Sequence, residues 1–329
     1  NHWIVRGIVC FAALGTGSAF AQSASASASA SSQDYPDKPI RIVVPYAPGG
    51  ASDVLTRRIG ERLTERVKQP VVVENKAGGN TVIASEAVAK SPADGYTLYS
   101  TNTTLLQIPF LYPARYDALR DFRPVSLYAR APLALAVPAS GPNDVKELVA
   151  AMKAKPGKTS YGTAGAGGTQ HILSEAFKRA TGIDSVHIPY KGEAPLVTDF
   201  LGGQIDWYIA TPITIMPHVR SGKVKLLAIT GDQRLPLTPD VPTFKEIGIP
   251  DLVMVGWYAL FAPAATPAPI IERLSREVSE IVRTPEITDY VKESGLVPAG
   301  LSAAEFAPEL PVFQDAFGRM IKENDIRVE

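Results

Sequence analysis

Cysteine is all but missing from this chain. The single one, Cys10, lies inside an N-terminal apolar run, so no intramolecular disulfide can form and a cysteine-based zinc cluster is excluded. Histidine is scarce as well: His2, His171, His187 and His218 include no i, i+4 pair of the kind that binds metal from one helix face. No G-x-S-x-G elbow offers a serine nucleophile. No apolar run approaches the ~20 residues that cross a bilayer. Neither sign of charge is in excess, with 33 Lys and Arg against 33 Asp and Glu, so nothing points to nucleic acid or an anionic membrane as partner. No period of 20 to 50 residues repeats, which argues against a solenoid.

What is present begins with an export signal. Arg6 is followed by an apolar stretch from Gly7 to Leu14 and by Ala19-Phe20-Ala21 before Gln22, so residues 1–21 read as a cleaved signal peptide. Cys10 is then an ordinary signal-peptide residue, because Val9 stands where lipidation needs a small one. Residues 22–34 are mostly alternating Ser and Ala; they can bury nothing and are expected to be a disordered leader. Folding is expected from Tyr35, over a length that suits two domains.

Within that length, one design occurs twice: a β-branched strand, a glycine-rich loop and a helix start. IRIVVPY leads through Ala47-Pro48-Gly49-Gly50-Ala51-Ser52-Asp53 into Leu55, Ile59 and Leu63 at helical spacing. TSYGT leads through Ala164-Gly165-Ala166-Gly167-Gly168-Thr169 into Ile172, Leu173, Ala176 and Phe177. Unpaired N–H groups at a helix start, backed by the helix dipole, favour a carboxylate or phosphate, and glycine permits close approach. Two such sites far apart in sequence suggest a ligand held between two lobes. The second loop lacks the terminal Gly or Ala of a dinucleotide fingerprint, and no cofactor is expected.

Strands are expected at 40–46, 71–74, 97–101, 159–163, 185–189, 205–209, 225–230 and 256–262, with helices between them, which predicts parallel-rich α/β sheets flanked by helices. After Ala262 the pattern reads as helical throughout: 267–282, 285–293 and 303–323, the last opened by a Ser302-x-x-Glu305 capping box. Two long extended segments, Pro124–Pro138 and Met254–Pro263, suggest a two-strand hinge. Lobe 1 would then comprise 35–137 plus 256–329, and lobe 2 would comprise 138–255. Ligands of open α/β sheets sit beyond the carboxyl ends of the strands, where both loops lie.

The segments KPIRIVVPYAPGG, VVVENKAGGNT, SPADGYTL, YGTAGAGGTQH, IPYKGEAPLVTDFLGGQID, SGKVKLLAIT, PDVPTFKEIGIP and GWYALFAPAATP resemble, in order and spacing, the Bug receptors of tripartite tricarboxylate transporters. The resemblance covers almost all of the exported chain. It implies a type II periplasmic binding protein fold with a Venus-flytrap cleft, periplasmic location, a small carboxylate ligand and membrane transporter subunits as partners. It implies no enzyme activity and no metal. A sensor kinase instead of a permease, and in a different class a periplasmic hydrolase or isomerase, are the alternatives; a monomer is the expected state.

By that resemblance Pro48, Gly49, Gly50, Ser52 and Asp53 form the first-lobe ligand loop, and Thr101, Asn102, Thr103 and Thr104 a polar loop on the same rim. Thr163, Ala164, Gly165, Gly168, Thr169 and His171 form the second-lobe loop, joined by Tyr190, Lys191 and Asp206. Plainer roles stand beside these: a helix cap for Asp53, packing or capping for His171, and a solvated surface position for Lys191. Tyr46, Tyr208 and Trp257 are either cleft aromatics that set specificity or core. The loop Ala77-Gly78-Gly79-Asn80-Thr81 departs from the Gly-Ala-x-Gly pattern that the family implies there, leaving its contacts open. The scarcity of fixed positive charge in the loops disfavours a tricarboxylate and favours a mono- or dicarboxylate, aromatic if Tyr46 and Tyr208 face the cleft.

Overall fold

The computed structural model describes residues 35–328; the expected signal peptide (1–21) and Ser/Ala leader (22–34) lie outside the described residues. From Lys38 onward the chain forms one unit. Its strands are β1 Ile40–Val44, β2 Val71–Asn75, β3 Thr97–Asn102, β4 Phe122–Ala131, β5 Ala134–Pro138, β6 Ser160–Thr163, β7 Val186–Pro189, β8 Tyr208–Ala210, β9 Val224–Ile229, β10 Gly256–Pro263 and β11 Val297–Ser302. Its helices are α1 Ala51–Val67, α2 Val82–Ala89, α3 Thr104–Gln107, α4 Val145–Lys153, α5 Thr169–Thr181, α6 Glu193–Leu201, α7 Pro212–Arg220, α8 Ala268–Val282, α9 Pro285–Glu293, α10 Ala303–Phe306 and α11 Glu309–Glu323.

A six-stranded sheet has the order β11-β4-β10-β3-β1-β2, and a second group combines β8-β5-β9 with the pair β6-β7. A parallel bridge between Tyr161 and Trp207 joins the two parts of that second group. The parallel character expected of the sheets holds for β2-β1-β3 and β6-β7. It fails for β4, β10 and β11 and around β5, where the pairing is antiparallel. The reason is the return path: β4 carries the chain out of the first sheet and β10 brings it back, so the two lie side by side in opposite directions. The long extended segment Pro124–Pro138 is two strands in different sheets, separated by Pro132-Leu133.

The reading of everything after Ala262 as helix is corrected at β11. Its Pro298 and Gly300 argue against a strand, but it lies at the sheet edge with a register shift between Pro298 and Leu301, where both residues are tolerated. The expected helix 303–323 is broken at Pro308 into α10 and α11, and Ser302 with Glu305 forms the capping box read from the sequence. The strand expected over 205–209 begins only at Tyr208, where pairing with β5 starts; Asp206 and Trp207 pair instead with β6, both donating their N–H to the Ser160 carbonyl at 3.2 and 3.3 Å, while the Asp206 carboxylate accepts from Ser160 N and Oγ at 2.7 and 3.1 Å.

Each sheet has its own core. Trp257, Phe261 and Phe306 pack together behind the first. Tyr161, Phe177, Trp207 and Phe244 pack behind the second, and Leu196, Phe200, Tyr208 and Ile215 fill the space under α6 and α7. Burying one such side chain is worth about 1.5–3 kcal/mol. These cores make the strand ends, and the loops that leave them, rigid mounts for the cleft.

Candidate functional site

The two glycine loops have nearly the same backbone. Gly50 precedes α1 at φ −78°, ψ 169°, and Gly168 precedes α5 at φ −79°, ψ 174°; neither helix start has a side-chain cap. The glycine before each is left-handed, Gly49 at φ 86° and Gly167 at φ 78°, a conformation that turns successive N–H groups in one direction. In both loops that glycine N–H is taken by the side chain four residues on. Gly49 donates to Asp53 Oδ2 at 2.9 Å and Gly167 donates to His171 Nδ1 at 3.0 Å. Gly50, Ala51 and Ser52 after the first glycine, and Gly168, Thr169 and Gln170 after the second, line a single cleft that opens to solvent; the Gly168 N–H donates to the Gly165 carbonyl at 3.5 Å.

From the loops after β1 and β3, Tyr46, Gly50, Ser52, Asn102, Thr103 and Thr104 line the cleft, and from the loop after β6 come Ala164, Gly165, Gly168 and Thr169. The two sides touch. Thr103 Oγ1 and Thr169 Oγ1 share a hydrogen bond of 2.5 Å, and Gln107 Nε2 donates to Thr169 Oγ1 at 2.8 Å. Tyr46 Oη donates to Asn102 Oδ1 at 3.0 Å, and burial raises the phenol to about 12, so it serves as a neutral donor.

Of the remaining residues singled out from the sequence, Trp257 borders the cleft while its ring packs into the core, and the others lie outside the lining. Pro48 and Gly49 are exposed beside it. Asp53 is buried, and although burial alone would raise its pKa, hydrogen bonds from Arg57, Gly49 N–H and Asn75 outweigh that and hold it below the usual carboxylate range. It therefore acts on the loop, not in the cleft. Thr101 is buried behind the rim, its Oγ1 without a partner. Thr163 Oγ1 donates to the Gly165 carbonyl at 3.1 Å and meets His187 Nε2 at 2.7 Å. Tyr190 Oη donates to Asp199 at 2.8 Å, Lys191 is exposed, and Asp206 is tied to Ser160.

His171 stacks on His187 with ring centroids 4.1 Å apart, and His187 stacks in turn on Tyr161 at 4.9 Å. Burial lowers His171 to about 4 and His187 to about 3, so both rings are neutral at pH 7. Accepting from Gly167 N–H fixes the His171 proton on Nε2. Tyr208 packs edge-on against Phe200 in the core, and the Trp257 ring packs on Phe261, Phe306 and Phe313.

The cleft also contains residues that the sequence reading did not single out. Asn80, in a left-handed conformation at φ 48°, reaches across so that a Cβ on Gly165 would stand 2.3 Å from its Oδ1. Its Nδ2 is buried without a partner. Gln170 accepts from Ala164 N–H at 2.7 Å and donates to Glu193 Oε1 at 3.0 Å. Glu193, Thr211 and Tyr258 complete the wall. The signal for Glu193 was there to find: it directly follows Gly192 and opens α6, a third glycine-to-helix junction. Among the described residues no group of three or more His, Cys, Asp or Glu is placed to hold a metal ion.

A family model described as the tripartite tricarboxylate transporter family receptor matches residues 55–324. The protein BugT of Bordetella pertussis is 35% identical over 283 residues, covering 85% of this chain and 87% of BugT. A Rhodopseudomonas palustris protein, Rpa4515, solved with adipate, superposes with TM-score 0.85 at 31% identity, over 89% of this chain and 99% of its own. MatC from the same organism, solved with bound malate, superposes with TM-score 0.83 at 27% identity, over 87% of this chain and 100% of its own. Agreement at this level assigns to the chain the two-lobe fold of periplasmic binding proteins.

Proposed function

The chain belongs to the tripartite tricarboxylate transporter receptor family, a family of solute-binding receptors and not of enzymes, and we propose that it binds a small mono- or dicarboxylate in the cleft between its lobes. The observation that carries this reading is the convergence of two uncapped helix starts, at Gly50 and Gly168, on one cleft whose described lining contains no lysine, arginine or histidine. Anion recognition there falls to backbone N–H groups, hydroxyls and bridging waters, which can bind nearly as well as direct contacts. The malate and adipate of the two related structures are carboxylates of this class. Without a fixed cation, a trianion is expected to bind more weakly than a mono- or dianion. Tyr46 supplies one aromatic face for the ligand, and Tyr208, packed in the core, supplies none.

In the same proposal residues 1–21 export the chain to the periplasm, and the lobes are 35–137 with 256–329, and 138–255. The change of sheet at Pro132-Leu133 and the return at Gly256 support crossings near those positions. Ligand shifts the population toward the closed form, in which Thr103 meets Thr169, and membrane subunits of a tripartite transporter read that form.

Thermal-shift and calorimetric titration of the chain with malate, adipate, benzoate and citrate tests the ligand class. A ligand at one hundred times its Kd should add about 2.7 kcal/mol of stability, a rise of several degrees in Tm. Absence of any shift, in protein shown by mass spectrometry to carry no co-purified acid, would overturn the carboxylate reading, and tightest binding by citrate would overturn the preference for a mono- or dicarboxylate. Loss of uptake of the same acid on deleting the gene tests the transporter link.

A further inference from the structure

Glu193 is the one ionisable acid or base, phenols apart, among the described residues that line the cleft. It is 6% exposed and stands in the first turn of α6. Its hydrogen bonds are oriented by their neighbours. Gln170 Oε1 is engaged by Ala164 N–H at 2.7 Å, so its amide nitrogen must face Glu193, and it donates to Oε1 at 3.0 Å. Thr211 N–H donates to the same oxygen at 2.7 Å. Oε1 is thus held as an acceptor by two donors, and a proton on this carboxyl belongs on Oε2.

The groups around it carry no compensating positive charge. Tyr46 of the first loop, Tyr208 of β8 and Tyr258 of β10 face it as neutral phenols, and the hydroxyls of Thr211 and Thr214 are nearby. Burial raises Glu193 to about 7, against partial lowering by Thr211, Thr214 and Gln170. A ligand carboxylate brought into the cleft that Glu193 lines adds a second negative charge. Two carboxyl groups so placed do not both stay ionised, and the pair retains a proton.

We propose that Glu193 is a specificity-determining residue of the cleft: when a carboxylate anion binds, one proton from bulk water transfers to Glu193 Oε2, and the neutral acid then donates a hydrogen bond to the ligand. No other bond forms or breaks. This rests on the carboxylate reading above and sharpens it. The cleft accepts an anion together with a proton, and each further negative charge on the ligand finds no partner of this kind.

Calorimetry of the full chain with malate, adipate and benzoate at about pH 8, in phosphate and in Tris, counts the protons taken up from the difference in buffer ionisation heat. The expected result is close to one proton per ligand, with affinity falling about tenfold per pH unit above about pH 7. Glu193→Gln, which keeps the Oε1 acceptor, should bind with no proton uptake and a flat pH profile. The proton count on the unmodified chain stands whether or not that variant folds. Binding that persists with neither proton uptake nor pH dependence overturns this inference and leaves the carboxylate receptor intact. Binding of the zwitterion aspartate without proton uptake, lost in Glu193→Gln, also overturns it by assigning the carboxylate to a ligand cation. Failure of every probe to bind either protein overturns both readings.

Discussion

The loop at Gly49–Asp53 and the loop at Gly167–His171 reach the same backbone shape by different chemistry. Each fixes a left-handed glycine by having its N–H captured four residues on. In the first loop the acceptor is an ionised carboxylate, tied to Arg57 and Asn75 at the surface. In the second it is a neutral imidazole, stacked on a second imidazole over Tyr161 and Trp207. The geometry an anion site needs can therefore be supported by a charge network or by a buried aromatic stack. The two supports should fail under different conditions, and that contrast can be tested.

The largest difference is steric. An alanine Cβ at Gly167 would lie 2.9 Å from Leu111 Cδ1 and 3.1 Å from Tyr112 Cε2, whereas at Gly49 its nearest neighbour is Ala194 Cβ at 3.8 Å. Gly167→Ala should cost about 3 kcal/mol, since overpacking adds to the left-handed strain, and Gly49→Ala about 1 kcal/mol, from strain alone. Urea denaturation of both variants measures the gap, and equal losses would show that the two loops are packed alike.

Acid separates the supports next. His171 is held at about 4, below its unfolded 6.5, so as pH falls through that window the unfolded state binds a proton that the folded state does not. Stability should fall by up to about 1.4 kcal/mol per pH unit for this residue, with His187 adding to the slope. Asp53 is lowered too, but from the ordinary carboxylate value of 3.8, so its contribution is intact through the histidine window and is lost only as the pH falls from that value through its lower folded pKa. His171→Asn, which retains an acceptor, should flatten the profile between pH 6.5 and 4. A slope unchanged by that substitution would remove His171 from the account.

Smaller effects follow. Asp53→Asn keeps an acceptor for Gly49 N–H but gives up the charge facing Arg57, and should cost about 1–2 kcal/mol at pH 7 with the second loop unaffected. Lys191→Ala removes an exposed cation outside the lining and should change stability by less than about 0.5 kcal/mol. Carboxylate affinity should be unchanged as well. A tenfold loss of affinity in that variant, measured by calorimetry, would restore Lys191 as the counter-charge.

How much could be read in advance follows the range of the forces involved. The helix starts at Gly50 and Gly168 and the capping box at Ser302 are local, fixed by residues within four positions, and all were legible. The edge strand β11 was not, because its pairing with β4 lies far away in sequence and its Pro298 and Gly300 are poor strand formers. For the cleft, the polar residues next to glycine turns were found, while Glu193, Gln170 and Asn80 were not singled out. A glutamate next to a lysine and a glycine reads as solvated until its partners Gln170 and Thr211 are known. Asp53 and His171 were close to the cleft in sequence, yet their side chains turn back onto the loops.

The sequence by itself determined the alternating strands and helices, the two glycine loops, and through eight ordered blocks the receptor family, because periodicity, capping and turn chemistry act over a few residues. Only the tertiary structure decided which side chains face the cleft, that β4 and β10 run antiparallel as neighbours, and that a buried carboxyl stands among the anion-binding loops. Those outcomes depend on burial and on contacts between segments more than a hundred residues apart, and no local pattern contains them.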